Sequence, residues 1–129
     1  MYPPAWTVGR TALEDHELDG FSIPRGSIVL ASPWIVHHDP RWFPEPFEFR
    51  PERWDDDRSG QIPTFAYFPF GAGQRVCIGM PLAKLTAVLF IATIAQRWRL
   101  ELVPGHPVEP APPLLRPAHG LPMVVSARP

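Results

Sequence analysis

The residues best suited to chemistry lie in one stretch, Phe70-Gly71-Ala72-Gly73-Gln74-Arg75-Val76-Cys77-Ile78-Gly79, which holds the only cysteine of the chain. A thiolate is a nucleophile and a soft metal ligand. One cysteine cannot form an internal disulfide or supply a cysteine-rich zinc cage, so Cys77 is inert, catalytic or a ligand. Gly71 and Gly73 permit sharp turns and close approach of the backbone to a ligand, and Gly79 is expected to do the same where the next helix begins. Arg75 carries a rigid fork of donors that matches a carboxylate. A cysteine hydrolase would need a histidine base, and no histidine is placed to serve Cys77. The plainest alternative is a glycine turn in front of a helix, carrying an inert cysteine.

Other groups carry weaker signals. His37-His38-Asp39 has the ligand types of a facial triad for non-haem iron, but adjacent side chains diverge in regular structure and Asp39-Pro40 reads as a turn. Asp55-Asp56-Asp57 lacks the spaced ligands and glycine of a calcium loop and reads as a solvated run. His16, His106 and His119 are isolated in sequence and receive no role.

The elements that must position Cys77 are readable in outline. Thr7 to Thr11, Leu18 to Ile23 and Ser27 to Ala31, with a turn at Pro24-Arg25-Gly26, predict a small hairpin or sheet. Pro33 to His38 predicts a short helix stopped by Asp39-Pro40. Pro40 to Phe70 shows no sustained period and predicts a long loop held by buried aromatic anchors: Trp42, Phe43, Phe47, Phe49 and Trp54. Pro81 to Trp98 predicts one long helix, apolar over most of its circumference and therefore buried. Leu100 and Leu102 alternate with Arg99 and Glu101, and with Met123-Val124-Val125 they predict a short terminal β-pair; Pro104 to Pro113 predicts irregular chain.

Composition narrows the function classes. The 129 residues suit one domain, and a net charge of -1 offers no basic surface for gripping nucleic acid. Nineteen prolines in 129 residues, against a usual share of about 5%, imply much non-helical connector wrapped around something else. The apolar run of the long helix falls short of the roughly 20 residues of a membrane span, and Met1 to Trp6 lacks the pattern of an export signal, so a cytoplasmic location is expected.

Phe70, Gly71, Gly73, Arg75, Cys77 and Gly79 match F-G-x-G-x-R-x-C-x-G at all six fixed positions. Average residue usage makes such a coincidence a matter of order 10⁻⁸ per window. The pattern resembles the haem-ligand loop of the cytochrome P450 family. The resemblance implies that Cys77 is the axial thiolate of haem b (iron protoporphyrin IX), a strong donor favouring O–O cleavage. It also implies that N–H groups of the helix start face the sulfur, that Arg75 holds a haem propionate, and that Phe70 shields the sulfur from water. Arg10, in Trp6-Thr7-Val8-Gly9-Arg10, matches a strand arginine contacting the other propionate; a solvent-facing arginine explains it nearly as well.

The resemblance extends over nearly the whole chain. Pro51-Glu52-Arg53-Trp54 is similar to the family's P-E-R-F segment, whose arginine joins an ion-pair network with a helix bearing E-x-x-R. That helix has no counterpart here, and Tyr2-Pro3-Pro4 resembles the segment just after it in the family, so Arg53 is expected to lack those partners or to lie exposed. Pro4, Ala5, Thr7 and Leu114 are expected near the substrate cavity, or else in core packing. The H-x-D-P stretch at His37 to Pro40 is structural in the family, with a contact near the haem edge. Many members carry a glutamate at the position of Thr86.

The fold expected is α+β, the C-terminal portion of the mainly helical cytochrome P450 fold: a β-hairpin region at 1–32, a short helix and meander at 33–69, the haem-ligand loop at 70–79, one long buried helix at 80–98 and a terminal β region at 99–129. The function implied is that of a haem-thiolate monooxygenase, with dioxygen, a small apolar substrate and an electron donor, either a ferredoxin or a flavoprotein reductase. Two alternatives stand beside it: a truncated remnant or split-gene piece without turnover, and a peroxide-using haem-thiolate enzyme.

Overall fold

Proline marks where helical segments open: Pro33, Pro51 and Pro81 each lie in a first turn. The computed structural model describes residues 2–55 and 60–128. The chain divides into two units, residues 1–72 and 73–129.

In the first unit, β1 (Val8–Thr11) pairs antiparallel with β4 (Ile28–Ala31), from Val8 opposite Ala31 to Thr11 opposite Ile28. Between them β2 (His16–Leu18) and β3 (Phe21–Ile23) form a tight hairpin. Its loop is Asp19-Gly20, with φ 51° and 80°, the two-residue turn whose twist suits paired strands. The strand expected from Leu18 to Ile23 is thus broken in its middle by the Asp-Gly pair. The second turn falls at Pro24 to Ser27, where Gly26 has φ 86° and Ser27 N–H donates to the Pro24 carbonyl at 3.1 Å.

Helix α1 (Pro33–His37) opens on a proline and is capped by Ser32, whose Oγ accepts the Ile35 N–H at 3.3 Å and donates to the Trp6 carbonyl at 2.7 Å. The chain then runs without repeating structure apart from a 3₁₀ turn at Pro51–Trp54. Phe43, His37 and Pro33 are fully buried, with Ala66 and His38 nearly so. Of the five expected aromatic anchors only Phe43 is buried; Phe49 is 94% exposed and Phe47 66%. A rotamer-poor ring is a good anchor only where a neighbour covers it, and within this unit the neighbours gather on Phe43: His37, Trp54 and Tyr67.

The acidic run is only partly visible, since Asp56 and Asp57 lie outside the described residues. His37, His38 and Asp39 go to three different surroundings. His37 enters the cluster of Phe43, Tyr67 and Phe68, whereas His38 packs among Tyr2, Trp34 and Phe47. Asp39 accepts the backbone and guanidinium N–H groups of Arg41 at 2.9 and 3.0 Å. These directions cannot converge on one ion.

In the second unit, a 3₁₀ turn at Gly73–Arg75 leads to helix α2 (Met80–Ala95). The helix ends three residues before the expected Trp98, because Trp98 begins β5 (Trp98–Leu102), paired antiparallel with β8 (Met123–Ala127). Two-residue strands β6 (Pro110–Ala111) and β7 (Arg116–Pro117) pair antiparallel, and β6 lies within the stretch from Pro104 to Pro113 expected to be irregular. Helix α2 is present, but its expected burial is not: none of its residues is buried, with Leu82 69% and Phe90 64% exposed. An apolar helix is covered only if other elements pack around it, and here its described contact is with β5.

Candidate functional site

The cysteine-bearing loop is built from two turns that require left-handed backbone. Gly71 (φ 75°) closes the first by donating its N–H to the Phe68 carbonyl at 2.9 Å; Gly73 (φ 68°) opens the second, whose Val76 N–H reaches the Gly73 carbonyl at 3.1 Å. Non-glycine residues meet a steric cost of about 1–2 kcal/mol there. A Cβ on Gly73 would meet nothing within 4 Å, so its demand is conformational as far as this chain is concerned.

Cys77 is a free thiol and exposed. Its carbonyl accepts the Met80 N–H at 3.2 Å, which joins the loop to the first turn of α2, and Gly79 caps that helix. Gly79 lies in the turn closed by that bond, with φ -80° and ψ -3°, so the expected turn is present but its backbone does not itself require glycine. What distinguishes Gly79 is its place beside the sulfur: a Cβ there would lie 3.7 Å from Cys77 Sγ. Ile78 is 99% exposed and Val76 43%, so the sulfur sits in an apolar, uncovered surface. Arg75 ends the 3₁₀ turn, exposed, with no ion pair among the described residues.

Phe70 and Arg10 belong to the first unit. Phe70 is half-buried, and Arg10 stands exposed in β1, where its Nη1 donates to the Gly9 carbonyl at 2.7 Å. Thr7 Oγ1 donates to the Ala31 carbonyl at 3.4 Å, and Leu114 is 56% exposed.

Two residues carry more of the structure than their sequence context suggested. Arg53 is neither unpartnered nor fully exposed: its guanidinium donates to the carbonyls of Arg50, Pro44, Glu45 and Glu48 at 3.1 to 3.3 Å. It borders a cleft of about 400 Å³ shared with Arg41 and Arg50. His37, fully buried, accepts the Phe68 N–H on Nε2 at 3.0 Å. Burial above all, with His38 contributing, pushes the His37 imidazole down from 6.5 to about 4, so it stays neutral. The Tyr67 hydroxyl is pushed up by the same burial.

The donor types in this loop can be compared with what a haem would need. Among the described residues no three metal-ligating side chains gather. An iron porphyrin needs one soft axial donor, an apolar surface and cations for its carboxylates, and Cys77, the Val76 and Ile78 flanks and Arg75 are of those types. The loop therefore has the make-up of a haem-thiolate ligand loop.

The cytochrome P450 family model matches residues 1–123, and the chain belongs to that family. It is 41% identical over 128 residues to cyclooctatin synthase of Streptomyces melanosporofaciens, covering 99% of this chain and 28% of that protein. It is 46% identical over 105 residues to cyclooctat-9-en-7-ol 5-monooxygenase of the same organism, covering 81% of this chain and 23% of the relative. A solved structure, retinoic acid bound cyanobacterial CYP120A1, superposes with a TM-score of 0.93 at 32% identity, over 98% of this chain and 30% of that one. The chain thus spans between a fifth and a third of the proteins it matches, and it has the fold of the corresponding part of a cytochrome P450.

Proposed function

We propose that this chain supplies the thiolate side of a haem-thiolate monooxygenase, with Cys77 as the axial ligand of haem b. The observation that carries the reading is the exposed, free Cys77 directly ahead of α2, beside Gly79 and close in sequence to an exposed Arg75. Haem, when bound, supplies the redox chemistry: activation of dioxygen with electrons from a ferredoxin or flavoprotein reductase, and insertion of one oxygen atom into a small apolar substrate.

The tasks of the chain's own residues follow from their types. Cys77 offers the sulfur ligand, three residues ahead of the first residue of α2. Gly79 keeps the space beside that sulfur free of a side chain. Arg75 and Arg10 each offer a guanidinium to a propionate, and a charge-assisted, two-pronged bond of this kind fixes orientation as well as affinity. Phe70 offers an apolar ring at the start of the loop, and Gly71 and Gly73 hold its two turns.

The test is the reduced, carbon-monoxide difference spectrum of the protein expressed with haem supplied. A thiolate-type absorption is expected, and Cys77→Ala abolishes it. Retention of that absorption after the substitution removes Cys77 as the ligand.

A further inference from the structure

We propose that His37 is a positioning residue for the cysteine-bearing loop, accepting the Phe68 N–H on its Nε2 and so tying the start of that loop to α1. Phe68 lies 31 residues away in sequence and two before Phe70, where the loop motif begins. Both backbone groups of Phe68 are engaged: the N–H by His37 at 3.0 Å, the carbonyl by the Gly71 N–H at 2.9 Å. Pro69, between them, has no N–H to offer an alternative register. One side chain therefore holds the residue on which the first loop turn closes.

The imidazole is itself closely packed. It is fully buried, with ring centroids of Tyr67 at 4.8 Å, Phe68 at 5.6 Å and Phe43 at 6.0 Å, on a helix capped by Ser32. Accepting on Nε2 places the ring proton on Nδ1, and Nδ1 is buried without a hydrogen-bond partner among the described residues. A phenylalanine would fill this aromatic site with no such orphan, and buried unsatisfied donors are uncommon. What histidine adds is the acceptor aimed at Phe68. The bearing on Cys77 rests on the haem-thiolate reading; the bearing on Phe68 does not.

The experiment compares the protein with His37→Phe and His37→Gln by amide hydrogen exchange and by the reduced carbon-monoxide spectrum with haem supplied. His37→Phe should speed exchange at Phe68 at least about tenfold, the factor that matches loss of one buried hydrogen bond, while β1 and α2 keep their protection. It should also convert part of the thiolate-type absorption to the neutral-thiol type. In His37→Gln the amide oxygen reaches the same place and restores both. If His37→Phe loses its far-UV dichroism, His37→Asn, whose shorter amide falls short of Phe68, replaces it. Unchanged Phe68 exchange in the acceptor-less variant overturns the anchor; full thiolate absorption there overturns its bearing on Cys77. A wild-type protein without thiolate absorption refutes the haem reading instead, and Phe68 exchange then decides the anchor alone.

Discussion

Replacing Arg53 by methionine keeps the aliphatic stem and removes every donor. Four carbonyls then lose their partner: Pro44, Glu45, Glu48 and Arg50. The bonds are long, at 3.1 to 3.3 Å, and three of the four are open to solvent, so each is taken at about 0.5–1 kcal/mol, giving about 2–4 kcal/mol together. Glu45 adds to the dependence, because its φ of 51° is unfavourable for a side chain and its carbonyl is held by Arg53. Lysine at position 53 should recover less than half of the loss, since a point donor cannot span four acceptors. The acceptors are neutral, so the loss should be equal at low and high salt, whereas an ion pair would be screened. Urea unfolding followed by the fluorescence of Trp42 and Trp54, which flank this loop, measures the difference. A methionine variant within about 0.5 kcal/mol of the parent, or a loss that vanishes at about 1 M salt, refutes the carbonyl-cage account.

Acid should unfold the protein in a window set by His37. The imidazole is neutral in the fold and titrates at about 4, against 6.5 when unfolded, so protons favour the unfolded chain. Its contribution is complete above pH 6.5 and is lost as pH falls toward 4, by roughly 3 kcal/mol at about 1.36 kcal/mol per pH unit. Asp39 acts in a lower window: hydrogen bonds from Arg41 hold its carboxyl below its ordinary value, so its contribution persists through the histidine range. His37→Gln should flatten the slope of the urea midpoint between pH 6.5 and 4; an unchanged slope means that another group carries it. The two loop glycines should separate in the opposite order to their distance from Cys77. Gly73→Ala should cost about 1–2 kcal/mol at φ 68°, while Gly79→Ala, in helical backbone with an ordinary 3.7 Å contact, should leave the unfolding midpoint nearly unchanged. The reverse ranking would contradict the turn geometry.

Several elements are legible because their signals are local. Pro33 after Ser32 marks the start of α1, and alternation from Arg99 to Leu102 marks β5. The Asp19-Gly20 turn is equally local, and Asp-Gly between short β-prone runs is a strong hairpin sign, yet the apolar residues on either side of it suggest a continuous Leu18 to Ile23 strand. The pattern extends the helix too far, to Trp98, because Gln96 and Arg97 are good helix formers and their types do not mark where the last turn ends. Gly79 misleads for a different reason: glycine in sequence signals freedom of φ, and here it is used for the space beside a sulfur.

By itself the sequence determined the cytochrome P450 family, the loop motif that contains Cys77, and the succession of strands, short helix, connector, loop and long helix. All of these reside in residue types at fixed short spacings, which the covalent chain alone sets. Tertiary structure decided which side chains serve the loop and which stand uncovered. The His37 bond to Phe68 and the Arg53 carbonyl cage join residues whose approach depends on how the connector folds back. The exposure of α2 and of Phe49 depends on what packs against them, not on their own character. Burial and long-range hydrogen bonds belong to neighbours, and neighbours are fixed only when the chain is closed upon itself.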